Sequence, residues 1–160
     1  MKYVLVIFVC FVNSSVFATS CNDEQYRHFD FWLGEWQVYT PDGKLVGTNI
    51  IEASHQGCVL RESYRATSGY TGESVNIFDK SRGVWHQSWV DSSGLLLQLE
   101  GGFDGESMVL SGASIGQSGQ AVTQKITWTP QVDGSVRQLW EMKGVEGNWQ
   151  ILFDGKYVRN

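Results

Sequence analysis

Turn signals cut this chain into segments that are strand-sized and little else. Pro41-Asp42-Gly43, Gln56-Gly57, Ser68-Gly69, the run 79–83, the run 91–94, Gly101-Gly102, the Gly- and Ser-rich run 114–120, Asp133-Gly134 and the run 144–147 each break the pattern. Such clusters supply the positive φ values and local hydrogen bonds that tight turns need. The stretches between them are about 6–10 residues long, too short for the helical crossover that a parallel strand pair requires. Strands are therefore predicted over 35–40, 45–54, 58–67, 72–78, 84–90, 95–100, 107–112, 121–129, 135–142 and 149–158, with a bulge at Asp154-Gly155. Before them, Asp23 and Glu24 open a short helical turn that ends near Phe31. About ten meandering strands would leave two open edges, and closure removes both. The expected fold is all-β: an antiparallel up-and-down β-barrel with a short N-terminal helical turn.

The first eighteen residues are a different kind of sequence. Lys2 is followed by an almost wholly apolar run over 3–12, then by Val16-Phe17-Ala18. That order reads as a secretory signal peptide over 1–18, cut after Ala18. The alternative is an N-terminal strand or an anchor helix. The apolar run is short for a bilayer, and no later stretch is long and apolar enough to cross one as a helix. The expectation is one exported domain over 19–160, periplasmic or secreted, with no transmembrane segment. Removing the leader removes Cys10 and leaves Cys21 and Cys58. An even pair in an exported chain reads as a disulfide. The rival is a lipoprotein anchored at Cys21, with Cys58 left as a free, buried thiol. Ala18, the third residue before Cys21, stands where lipoproteins usually carry a bulky aliphatic side chain.

Composition excludes several function classes. Hydrophobic residues at 42% and charged residues at 18% suit a packed globule rather than a disordered chain. The formal net charge is −5 and the cations are scattered singly, which argues against a nucleic-acid or polybasic membrane partner. His28, His55 and His86 stand apart, with no Cys-x-x-Cys, so neither a metal site nor a cofactor is expected. No Gly-x-Ser-x-Gly elbow and no glycine-rich loop opening a helix is present. His86 reads as a structural mid-strand histidine.

Four strands carry an unusual mixture. Glu62 falls on an otherwise apolar face between Leu60 and Tyr64, where a carboxylate must be paired, protonated or at a wet pocket. Arg61, Arg65 and Arg137 are its candidate partners. Gln87 and Trp89 share one strand face, Gln138 and Trp140 another, and Asn76 lies mid-strand with Ser74 on its side. Faces that join amides to large rings suit a cavity for a small molecule. The alternative is that tryptophan fills the core while the amides brace neighbouring strands. The aliphatic sets Val84/Val90 and Leu95/Leu97/Leu99 leave open which faces point inward.

The string Phe29-Asp30-Phe31-Trp32-Leu33-Gly34-Glu35-Trp36 adds a resemblance. Its Gly34-x-Trp36 step is similar to the signature of the calycin barrels, which include lipocalins and fatty-acid-binding proteins. Together with Gly57-Cys58-Val59-Leu60, Trp89-Val90-Asp91-Ser92-Ser93-Gly94, Thr127-Trp128-Thr129-Pro130 and Arg137-Gln138-Leu139-Trp140-Glu141, it resembles a bacterial family of a domain of unknown function, often found behind a leader peptide. The resemblance spans nearly the whole chain after the leader. It implies a calycin-like barrel and no particular activity. Some small calycin-like barrels, the nitrobindins, hold haem through a histidine near the C-terminus, and no histidine stands there in this chain.

The leading expectation is thus a barrel that binds a small, partly apolar molecule through Glu62, Tyr64, Asn76, Gln87, Trp89, Gln138 and Trp140. Asn76, Gln87 and Gln138 would fix its polar end. Two alternatives stand beside it. One is an isomerase, cyclase or hydrolase in the same cavity with Glu62 or His86 as acid/base, and the other is a structural envelope protein.

Overall fold

Side-chain parity decides what enters the interior, because successive residues of a strand face opposite sides of the sheet. A computed structural model describes residues 21–116 and 118–160, so the expected leader lies outside the described residues. The strands are β1 Gly34–Tyr39, β2 Leu45–Ser54, β3 Val59–Ala66, β4 Thr71–Asp79 and β5 Val84–Asp91. They continue with β6 Leu96–Phe103, β7 Met108–Ile115, β8 Ala121–Pro130, β9 Val136–Gly144 and β10 Gln150–Arg159. Each pairs antiparallel with the next, and β1 pairs with β10 as well, with Trp36 opposite Arg159. The sheet is a closed ten-strand barrel.

Two glycine signals mean something other than a turn or a bulge. Gly101 and Gly102 lie inside β6, and the chain reverses instead at Gly105, whose φ is +102°. A Cβ on Gly101 would stand 2.1 Å from the Val109 carbonyl oxygen, so this glycine permits close approach of β7. The bulge expected at Asp154-Gly155 is absent, because both residues stay in register with Leu139 and Gln138. The slip lies between Ile151 and Phe153. Gly155 makes room for the Phe153 ring, which a Cβ would meet at 2.5 Å.

One end of the barrel is plugged. The helical turn α1 Glu24–Arg27 continues through a 3-10 turn, Asp30–Trp32, one residue past the expected end. Phe29 and Trp32 are fully buried and stack with centroids 4.9 Å apart. Phe29 also meets Trp85 and Trp128 edge-on, at 5.6 and 5.1 Å. Edge and offset arrangements suit the negative face and positive rim of an aromatic ring. The Trp36 indole N–H donates to the Trp32 carbonyl at 2.9 Å, and the Arg159 guanidinium lies 4.4 Å over the Trp36 ring. Cys21 and Cys58 lie at disulfide distance, Sγ to Sγ 2.00 Å, next to the turn between β2 and β3. Arg27 donates to the Gly57 carbonyl in that turn.

Parity resolves the faces that the sequence left open. Trp85 and Gln87 point into the barrel, as do Leu97 and Leu99. Val90 is 52% exposed on the outer wall. The aliphatic sets therefore split between core and surface rather than forming a second covered layer.

Candidate ligand-binding cavity

Glu62 is the residue from which the site is built. On β3 the odd-numbered Arg61 and Arg65 face solvent, while Leu60 and Glu62 face inward and are buried. The expected arginine partner is therefore wrong. Arg61 and Arg65 lie on the opposite face by parity, and Arg137 is taken by Asp154 through bonds of 2.9 and 2.7 Å on the outer wall. Neutral donors reach Glu62 instead: Asn49 Nδ2 at 2.7 Å and Ser74 Oγ at 2.6 Å. Ser74 stands directly opposite Glu62, and Asn49 lies on β2 opposite Tyr64.

A chain of amides extends from this pair. Asn76 donates from Nδ2 to Ser74 Oγ at 2.8 Å, and Gln87 donates from Nε2 to Asn76 Oδ1 at 2.8 Å. Asn49, Ser74, Asn76 and Gln87 are all buried. Burial pushes the Glu62 carboxyl from 4.5 up to about 7, against the opposing pull of the Ser74 and Asn49 hydrogen bonds.

A cavity of about 250 Å³ opens beside this network, at the middle and unplugged end of the barrel. Glu62, Tyr64, Gln87, Trp89, Gln138 and Trp140 line it. Asn76 does not; it sits behind Gln87 and holds that amide in place. Sequence reasoning missed Tyr70, Phe153 and Tyr157 among the lining residues. Tyr157 and Asn49 could have been found by inward parity, since each alternates with buried neighbours on its strand. Tyr70 lies in a turn, where no periodicity marks it.

The rings are pinned by their polar atoms. Asp91 accepts from the Trp89 indole N–H at 3.1 Å and from the Tyr70 hydroxyl at 2.8 Å. Burial pushes the Asp91 carboxyl upward, yet hydrogen bonds from Ser93, Tyr70 and Trp89 outweigh it and hold the group at about 2. The Trp140 N–H donates to Gln124 Oε1 at 2.7 Å, and Gln124 in turn donates to Ser114 at 2.7 Å. The Tyr157 hydroxyl donates to Gln138 Oε1. Gly72 leaves space for the Trp89 ring, which a Cβ there would meet at 2.1 Å. Leu152, 45% exposed, lines the cavity where it meets solvent.

No protein-family model matches the chain, and no curated protein matches it in sequence. The chemistry of the cavity is therefore read from its own side chains. Rings supply a flat apolar wall, the amides supply fixed donors and acceptors, and Glu62 supplies the one carboxylate lining the space.

The histidines lie elsewhere. His86 is on the outer wall, with Nδ1 3.0 Å from Glu100 and Nε2 2.9 Å from Ser88. It does not reach the cavity, so the acid/base role considered for it there is withdrawn. The His28 ring packs near Phe103, with centroids 5.1 Å apart. His55 opens the turn between β2 and β3 with φ 52°. Among the described residues no three His, Cys, Asp or Glu side chains come together as a metal site.

Proposed function

We propose that this chain is an exported binding protein whose barrel holds one small, partly apolar molecule. The observation that carries the reading is a cavity of about 250 Å³ in which indole and phenol rings face buried amides and a carboxylate. An apolar cavity of about 150 Å³ holds benzene. The space here therefore suits a single ring with a short polar arm. Gln87 and Gln138 meet that arm, and Asn76 fixes the orientation of Gln87.

Export rests on the leader pattern over 1–18 and on the paired cysteines. Family resemblance agrees with a calycin-like barrel and assigns no residue a role.

The test is substitution of the two pinned indoles. Trp89 and Trp140 are only partly buried, and each is tied to the protein by one N–H bond. Trp89→Ala and Trp140→Ala should each weaken binding of a one-ring ligand by about 1–3 kcal/mol, the range for lost aromatic contact area. Their melting temperatures should fall by less than that of a plug variant. Normal binding in both, or unfolding of both, would sink the assignment.

A second reading is favoured by one specific observation. A carboxyl held near 7 inside a cavity is poised to give or take a proton at neutral pH. In that reading Glu62 acts as general acid/base in an isomerase, cyclase or hydrolase. Turnover with a bell-shaped pH profile, abolished in Glu62→Gln, would establish it. The structural-envelope reading calls for a cavity too small for any ligand, and the cavity volume counts against it.

A further inference from the structure

The cavity is one-sided in charge. Among the described residues no lysine, arginine or histidine lines it, and Glu62 is its one carboxyl group. Its two known partners, Asn49 and Ser74, are neutral donors. An ionised carboxylate has about four acceptor positions. Two are taken by Asn49 and Ser74, and Glu62 lines the cavity. A buried carboxylate without a countercharge is costly. A ligand that brings a positive charge removes that cost.

The rings point the same way. Aromatic faces are negative and attract cations, most strongly for tryptophan. Trp89, Trp140, Tyr64 and Phe153 form walls around the space next to Glu62. An anionic ligand, such as a fatty acid, would meet a carboxylate and ring faces with no cation to receive it.

We propose that the ligand is a small organic amine, its ammonium group bonded to Glu62 and its apolar body lying against Trp89 and Trp140. This rests on the cavity reading above and narrows its ligand to a chemical class. The Asp91 carboxylate, which accepts from the Tyr70 hydroxyl and the Trp89 indole N–H, adds further negative charge beside the Trp89 ring.

The groups facing Glu62 allow a pH test. Tyr64 on its own strand and Tyr157 on β10 are the titratable neighbours, with Asn49 from β2 and Ser74 from β4 as neutral ones. Burial, and then the Glu62 charge, push both tyrosines above their ordinary value. They stay neutral phenols in the relevant range, so the change of charge belongs to Glu62. A proton on Glu62 competes with the ammonium group. Amine affinity should therefore rise about tenfold between about pH 6 and about pH 8.

The experiment titrates the purified chain, lacking its leader and with the disulfide intact, with phenethylamine and with phenethyl alcohol, by calorimetry and tryptophan fluorescence. The alcohol has the same ring and arm without the charge, so it reads the cavity alone. We expect the amine to bind at least about tenfold tighter at about pH 8, with the pH rise confined to the amine. In Glu62→Gln the amine-to-alcohol ratio should fall to about one and the rise should vanish. If that variant fails to fold, the wild-type pH series decides alone. Equal affinity for the two probes overturns the amine assignment and leaves the cavity reading standing. Amine preference that ignores both pH and Glu62 overturns it too. Binding of neither probe sinks the cavity reading itself.

Discussion

Burial raises the Glu62 carboxyl from 4.5 to about 7, so the folded chain holds this proton to a higher pH than the unfolded chain does. The sign follows from linkage: the folded state binds more protons between those values, so stability falls as pH rises through them. The contribution is fully present below about pH 4.5 and is lost as pH passes about 7, with an upper limit of about 3 kcal/mol. Glu62→Gln should remove this slope, and urea unfolding between about pH 5 and about pH 8 measures it. Equal slopes in the two proteins would mean that water solvates the carboxylate. Asp91 titrates in a separate window, since its lowered value places its loss of stability in more acidic solution. Gly72 offers a second test at this scale. Gly72→Ala drives a methyl into the Trp89 ring, and the ring must leave its place. The cost should be about 1–3 kcal/mol, with a shifted tryptophan emission and weaker ligand binding. Unchanged emission and binding would mean that Trp89 does not depend on that contact.

The N-terminal turn shows what an element can hide in sequence. Asp23 and Glu24 mark its start, and it ends at Trp32, near the expected Phe31. Its role as a plug was not legible, because Phe29 meets Trp85 and Trp128 only after the chain has closed on itself. The glycines failed for a related reason. Gly101 and Gly155 look like punctuation, yet their missing side chains serve contacts with Val109 and Phe153. A turn and a close packing contact leave the same letter in the sequence. Phe29→Ala tests the plug as a separate unit. Phe29 is fully buried, and its truncation should cost about 3–5 kcal/mol. Its ring partners Trp32, Trp85 and Trp128 do not line the cavity, so ligand affinity should stay within about twofold where the variant is folded. Thermal melting and titration of the same sample separate the two effects, and parallel loss of both would show that the ends of the barrel are coupled.

At the scale of the whole molecule, strand order was legible because each connection is too short to do anything but pair neighbours. Closure followed from the edges. The cavity was half legible. Parity places Glu62, Gln87 and Trp89 on inward faces, but which side is inward depends on closure, and the partners of Glu62 depend on register. Ser74 and Asn49 arrive from the two flanking strands, while the arginines closest in sequence face away. Cys21 is joined to the turn before β3, at the plugged end of the barrel. The disulfide closes a separation of 37 residues, which on chain-entropy grounds stabilises by about 4 kcal/mol. Protein exported from its native host should then begin at Thr19 and weigh one hydrogen pair less than the thiol form under denaturing, non-reducing mass spectrometry. Under native conditions it should carry an extra mass that departs on denaturation. A lipid-sized increment on Cys21 would instead break the disulfide account.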